Sequence, residues 1–202
     1  MTSQEKIPAR TKRSAVFNVP NILTYGRILA VPAVVGSLFL AGDFGRWLGF
    51  SLFIIASITD FLDGYLARAW HQQSALGRML DPIADKLLIS VTLIVLCADQ
   101  TITGMSIWAA VIILMREISV SGLREFLAEL RVSVPVTQMA KWKTAFQMVA
   151  LACLLAGTAG DKIIPYVSEA GGILLWLAAI LTLYTGYDYF RAGIRHLIDS
   201  DD

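Results

Sequence analysis

Six apolar runs, each about 20 residues long and set apart by short breaks, constrain this chain more than any other feature. They cover approximately 22–41, 46–67, 76–98, 104–127, 139–158 and 170–191. The breaks fall at Gly42 to Gly45, Trp70 to Ser74, Ala98 to Gly104, Arg131 to Pro135 and Gly160 to Pro165. A run of about 20 apolar residues is the length that spans the hydrocarbon core of a bilayer as a helix. No alternation of period two is long enough for barrel strands, and there is no internal repeat, so helices are the only spanning structure left. The expected fold is all-α, a polytopic membrane protein with six transmembrane helices.

Composition agrees. Hydrophobic residues make up 56% of the chain and charged residues only 16%, which is more apolar than a water-solvated domain needs to be. A net charge of +1 argues against a nucleic-acid partner, which needs a basic face. Cys97 and Cys153 each lie inside an apolar run, show no pairing or metal-ligand spacing, and read as small packing residues. The N-terminus is polar to about Asn18 and the first apolar run lacks a small-residue cleavage site, so no cleavable signal peptide is expected.

Basic residues give the orientation. With the N-terminus inside, Lys6, Arg10, Lys12, Arg13, Arg27, Arg68, Arg78, Lys86, Arg116, Arg124, Arg131, Lys141, Lys143, Arg191 and Arg195 fall at the cytoplasmic ends. Arg46 and Lys162 are left for the other face. Residues 1–20 are expected as a cytoplasmic or interfacial segment with a short helix on anionic lipid, or equally as a tail that only sets topology. Residues 21–195 form the six-helix domain and 196–202 a cytoplasmic tail.

Within this apolar chain four aspartates stand out. The second run ends DFLDGYLAR, Asp60 to Arg68, and the third begins GRMLDPIAD, Gly77 to Asp85. At about 100° per residue, Asp60 and Asp63 share one helical face, and Asp81 and Asp85 share another. A short polar link predicts that the two runs pack antiparallel with both acidic pairs near the cytoplasmic end. Carboxylates converging at low dielectric must protonate or bind cations. Their hard oxygens suit magnesium, manganese or calcium, and two such ions about 3.5–4 Å apart are the arrangement used for phosphoryl chemistry. Pairing with Arg68, Arg78 and Lys86 as helix glue is the structural alternative. Gly64 and Gly77 remove side chains beside the carboxylates, for a phosphate donor or for close helix packing. Pro82 frees the carbonyl of Arg78 and is expected to kink the third helix.

These residues resemble the signature of the CDP-alcohol phosphotransferases, D-x-x-D-G-x-x-A-R, eight or nine residues, then G-x-x-x-D-x-x-x-D. Asp60, Asp63, Gly64, Ala67, Arg68, Gly77, Asp81 and Asp85 occupy every fixed position, with eight residues in the gap. NVPNILTYGRI, REISVSGLRE and KWKTAFQ are similar to stretches of the phosphatidylglycerophosphate synthase subgroup. The resemblance implies a homodimer of six-helix chains with a polar cavity open to the cytoplasmic side of the cell inner membrane. It implies two divalent cations, Mg2+ or Mn2+, on Asp60, Asp63, Asp81 and Asp85, with Asp85 also the general base. It further implies that Gly64, Ala67, Arg68 and Gly77 hold the cytidine diphosphate part of CDP-diacylglycerol, with Asn21 and Thr24 on the same wall. The implied reaction is transfer of the phosphatidyl group to glycerol 3-phosphate, giving phosphatidylglycerophosphate and CMP.

A phosphorylated acceptor needs cations of its own. Arg27, Arg116, Arg124, Lys141, Lys143 and Arg191 are the candidates, against the alternative of an ordinary positive-inside border. Lys141 and Lys143 lie about 200° apart on a regular helix, so one is expected in the cleft and the other among head groups. Glu117, Glu125 and Glu129 are expected to pair with neighbouring arginines or face the interface. His71 and His196 are expected to have no catalytic part. The same chemistry with serine, inositol phosphate or phosphatidylglycerol as acceptor is the first alternative. A cation transporter is the remote one, disfavoured because its acidic residues would line a path near the midplane.

Overall fold

A computed structural model describes residues 19–69, 75–130 and 138–200, and for 19–20, 61, 63–69, 75, 78, 129 and 192–200 it describes the backbone alone. The expected N-terminal interfacial helix, His71, and the side chains of Asp63, Gly64, Ala67, Arg68 and His196 lie outside the described part. Six helices follow in order: α1 Val19–Leu38, α2 Asp43–Ala69, α3 Ala75–Ala98, α4 Ser106–Glu129, α5 Gln138–Asp161 and α6 Val167–Ser200. Each expected run has become one helix, and no strand occurs among the described residues. The last helix continues past the apolar run to Ser200.

Among the described residues, four stretches are long and apolar enough to cross a membrane: Asn21–Leu38, Ser106–Ala128, Gln138–Asp161 and Val167–Arg191. The outer faces of the bundle are apolar, with Leu29, Ile55, Met115, Ile118, Ile173 and Leu183 each more than half exposed. Exposed apolar surface on this scale is unfavourable in water and favourable in lipid. The chain is a membrane protein.

Packing inside the bundle departs from the simplest sequence expectation. Helices α2 and α3, joined by the short link, touch each other little, because α1 lies against both. α5 packs on α6 as an antiparallel hairpin and also on α2, while α4 packs on α6. Small residues set the closest approaches. A Cβ on Gly171 would meet Cys153 and Leu154 of α5 at 3.0 Å, so glycine lets α6 lie that near without displacing them. Phe53, Leu88, Leu93, Leu96, Ile113, Leu151, Leu155 and Leu175 interlock as the buried core.

The two ends of the bundle differ. At the end away from Asp60, Asp81 and Asp85, Arg46 of α2 reaches Asp99 at 2.7 Å, Thr101 at 3.0 Å and the Leu154 carbonyl at 3.4 Å. Its guanidinium lies against Gly157, where α5 breaks helical geometry at φ 47°, ψ −134°. Lys162 bonds Asp43 nearby, and Asp161 accepts hydrogen bonds from the backbone N–H and the hydroxyl of Ser168, capping the start of α6. Pro82, expected to kink α3, is accommodated in one unbroken helix.

Candidate functional site

The opposite end of the bundle opens into a cavity of about 990 Å³. Its walls come from the C-terminal half of α2, the start of α3, the C-terminal half of α4, the start of α5 and Tyr189 of α6. Five helices therefore deliver side chains to one chamber. α2 and α3 contribute Asp60, Asp81, Asp85 and Lys86 to the lining, and α4 and α5 contribute Arg116, Glu117, Arg124, Lys141 and Lys143. A smaller cavity of about 250 Å³ adjoins it between α3 and α4, with Pro82, Lys86, Arg116 and Arg124 in its wall.

Two of these carboxylates are organised by α1. Arg27, fully buried, places Nη1 2.5 Å from Asp60 Oδ1. One turn earlier, Thr24 donates its hydroxyl proton to Asp81 Oδ1 at 2.5 Å. α1 thus spans the gap between the two acidic helices and fixes one carboxylate of each. Asn21 is buried on the same helix, and Gly77 is buried on α3. Arg27 was expected among the acceptor's cations; its guanidinium lies on Asp60, and it is not part of the cavity lining.

Among the described residues no three His, Cys, Asp or Glu side chains are grouped as a ready metal site. Three carboxylates around one chamber, with Asp63 three residues on from Asp60, nonetheless offer the hard-oxygen donor set that magnesium or manganese takes. The residues present fit divalent cations.

Among the α4 and α5 residues Glu117 is the hub. Lys143 donates to its carboxylate, and Arg116 Nη1 lies 3.5 Å from it. Both cations and the carboxylate are nearly buried, with side-chain exposures of 6%, 11% and 13% for Lys143, Arg116 and Glu117. Burial of charges at this depth requires such compensation. Arg124 and Lys141 are exposed at the rim. Lys143 is buried and Lys141 exposed, yet both line the cavity, so the expectation that only one would reach the cleft does not hold. Lys86 donates to Ser121 of α4, tying α3 to α4 across the smaller cavity.

Sequence reasoning did not single out Thr185, Gly186 or Tyr189 of α6. Tyr189 lines the cavity, and Thr185 accepts a hydrogen bond from Arg116. They sit in a run read only as a membrane span, and nothing in their local sequence marks them. Glu117 pairs with the neighbouring Arg116, as expected, and in addition with Lys143 of another helix.

A family model described as CDP-alcohol phosphatidyltransferase matches residues 17–184. A curated protein of Rickettsia bellii (strain RML369-C), named CDP-diacylglycerol--glycerol-3-phosphate 3-phosphatidyltransferase, is 48% identical over 87% of this chain and 94% of its own length. A protein of Cereibacter sphaeroides with the same name is 38% identical over 91% of this chain and 98% of its own. One of Haemophilus influenzae (strain ATCC 51907 / DSM 11121 / KW20 / Rd), also so named, is 38% identical over 91% and 97%.

Proposed function

We propose, since the chain belongs to the CDP-alcohol phosphatidyltransferase family, that it transfers the phosphatidyl group of CDP-diacylglycerol to glycerol 3-phosphate. The products are phosphatidylglycerophosphate and CMP, a step of phospholipid biosynthesis. The observation that supports the reading of the acceptor is that Asp60, Asp81 and Asp85 share one cavity with Arg116, Arg124, Lys141 and Lys143. A phosphorylated alcohol can lie between them, its phosphate on the cations and its hydroxyl toward Asp85.

Asp60, Asp63, Asp81 and Asp85 would hold two divalent ions, Mg2+ or Mn2+. Such ions, when bound, neutralise the donor's pyrophosphate and the charge that gathers on departing CMP. The chain's own residues do the remaining work. Asn21, Thr24, Gly64, Ala67, Arg68 and Gly77 surround the cytidine diphosphate part of the donor. Arg116, Arg124, Lys141 and Lys143 take the acceptor's phosphate, and Arg27 keeps Asp60 in place. Asp85 accepts the proton of the primary hydroxyl. The freed oxygen attacks the phosphorus bearing diacylglycerol, the bond to the CMP oxygen breaks, and the electron pair leaves with CMP. A carboxylate is a weak base toward an alcohol, so proton removal is concerted with attack.

The same reading assigns six membrane spans, with α2 and α3 added to the four most apolar ones. It places the cavity on the cytoplasmic side of the inner membrane, because the cations gather there while Arg46 and Lys162 lie at the far end. The assembly is a homodimer. The test is incubation of the purified chain in detergent with CDP-diacylglycerol, glycerol 3-phosphate and Mg2+, followed by mass spectrometry of the lipid. Phosphatidylglycerophosphate formation that stops on chelation and returns with Mg2+ or Mn2+ supports the proposal. Unchanged donor in every condition refutes it.

A further inference from the structure

Arg116 is the cation of the cavity with the most elaborate seat, and that seat is built by α6. Its Nη2 donates to Thr185 Oγ1 at 3.1 Å. The Thr185 hydroxyl in turn donates to the Leu181 carbonyl at 2.9 Å, so its proton is committed to the helix and a lone pair is left for the arginine. One residue on, a Cβ at Gly186 would stand 3.2 Å from Arg116 Cγ, so glycine gives the arginine stem room to lie against α6. Tyr189, one turn beyond Thr185 and itself buried, places its ring 5.8 Å from the guanidinium carbon. A guanidinium over a ring face at that distance is attracted by the ring quadrupole, more strongly where water is excluded.

Three residues of one α6 segment therefore hold the stem, one edge and one face of a single guanidinium. Its other edge is directed to Glu117, which also receives Lys143. None of the three belongs to the aspartate signature, and each touches Arg116 from a helix other than its own.

We propose that Thr185, Gly186 and Tyr189 are positioning residues that preset the Arg116 guanidinium for the phosphate of the acceptor, and so set the preference for a phosphorylated alcohol. The inference rests on the reading of Arg116 as an acceptor-phosphate ligand. An arginine side chain loses much rotational freedom when it is immobilised. Fixing Arg116 before the acceptor arrives removes that cost from binding, and the benefit falls on acceptor affinity rather than on the donor.

The test is steady-state CMP release by the full chain in detergent at saturating CDP-diacylglycerol, with glycerol 3-phosphate varied. Tyr189→Leu should raise the KM for glycerol 3-phosphate about five- to tenfold, the scale of a desolvated cation–π contact, and leave the donor KM unchanged. Tyr189→Phe, which keeps the ring face, should recover most of that loss. Thr185→Val should raise the same KM about threefold, and Thr185→Ser should recover it. In an Arg116→Gln background Tyr189→Leu should add nothing, because the ring acts through the guanidinium.

Equal rises in donor and acceptor KM, no recovery by Phe, or the same factor in both backgrounds overturns the proposal. If Tyr189→Leu does not fold, the Thr185 pair decides by the same criteria. Should Arg116→Gln itself leave the acceptor KM unchanged, the phosphate-ligand reading fails and the inference falls with it. A raised KM in Arg116→Gln with neutral Tyr189 and Thr185 variants sinks the α6 seat alone.

Discussion

The guanidinium of Arg27 on α1 lies 2.5 Å from the carboxylate of Asp60 on α2, and it is completely buried there. This pair explains why α1 intervenes between the two acidic helices. Asp60 and Asp81 repel if brought together bare, and α1 answers with a cation for one and a hydroxyl donor, Thr24, for the other.

Arg27→Gln is expected to lower stability by about 1–3 kcal/mol, less than a fully buried pair because Asp60 is partly exposed. Adding Asp60→Asn should restore much of that stability, since no unpaired charge remains, without restoring turnover. Thermal unfolding in detergent and CMP release, measured on the same preparations, check both halves. Recovery of activity in the double variant would show that Asp60 is dispensable.

Asp85→Asn is expected to abolish turnover while the chain keeps much of its fold. Catalysis by a positioned general base commonly contributes 10²–10⁴-fold, so a residual rate of about 1% or less is expected. Thermal unfolding in detergent separates this from collapse of the fold. Substantial retained turnover would remove Asp85 from the role of base.

Lys143 and Lys141 should part company. Lys143→Met leaves Glu117 with only Arg116 inside the bundle, and it is expected to raise the KM for glycerol 3-phosphate at least tenfold, the scale of a lost buried charge contact. Lys141→Met, at the exposed mouth, should raise it about threefold or less, with an effect that fades at high salt. Acceptor titrations at two ionic strengths distinguish them.

At the far end, Gly157→Ala is expected to destabilise the protein by about 1–3 kcal/mol while leaving the activity of the folded fraction intact. Two causes add: the φ of 47° suits glycine, and the new Cβ would stand 2.5 Å from Arg46 Nη1. A lower thermal midpoint with unchanged CMP release per folded molecule is the expected pair of results.

Much of this was legible in the sequence because the bilayer makes it so. Lipid forces each span into a long apolar helix, and the six runs emerged as six helices with ends shifted by a few residues, except that the last continues to Ser200. The aspartates were equally visible, since charge inside an apolar run carries a large cost and stands out. What stayed hidden depends on helix order in space. Nothing local says that α1 lies against both α2 and α3, so Thr24 was assigned to the donor wall without its bond to Asp81, and Arg27 to the acceptor without Asp60. Tyr189 and Thr185 look like ordinary residues of a span until Arg116 is beside them. Which of Lys141 and Lys143 is buried depends on the rotation of α5, which periodicity alone leaves free.

In the proposed mechanism an acidic centre activates an alcohol, and cations in the same cavity select a phosphorylated one. The most direct measurement is CMP release from CDP-diacylglycerol with Mg2+, in parallel with glycerol 3-phosphate, glycerol, serine, inositol phosphate and phosphatidylglycerol. Release with glycerol 3-phosphate alone, lost in Asp81→Asn and weakened in Arg116→Gln, is the expected result. Equal release with unphosphorylated glycerol, or release with glycerol 3-phosphate untouched by either substitution, would contradict it.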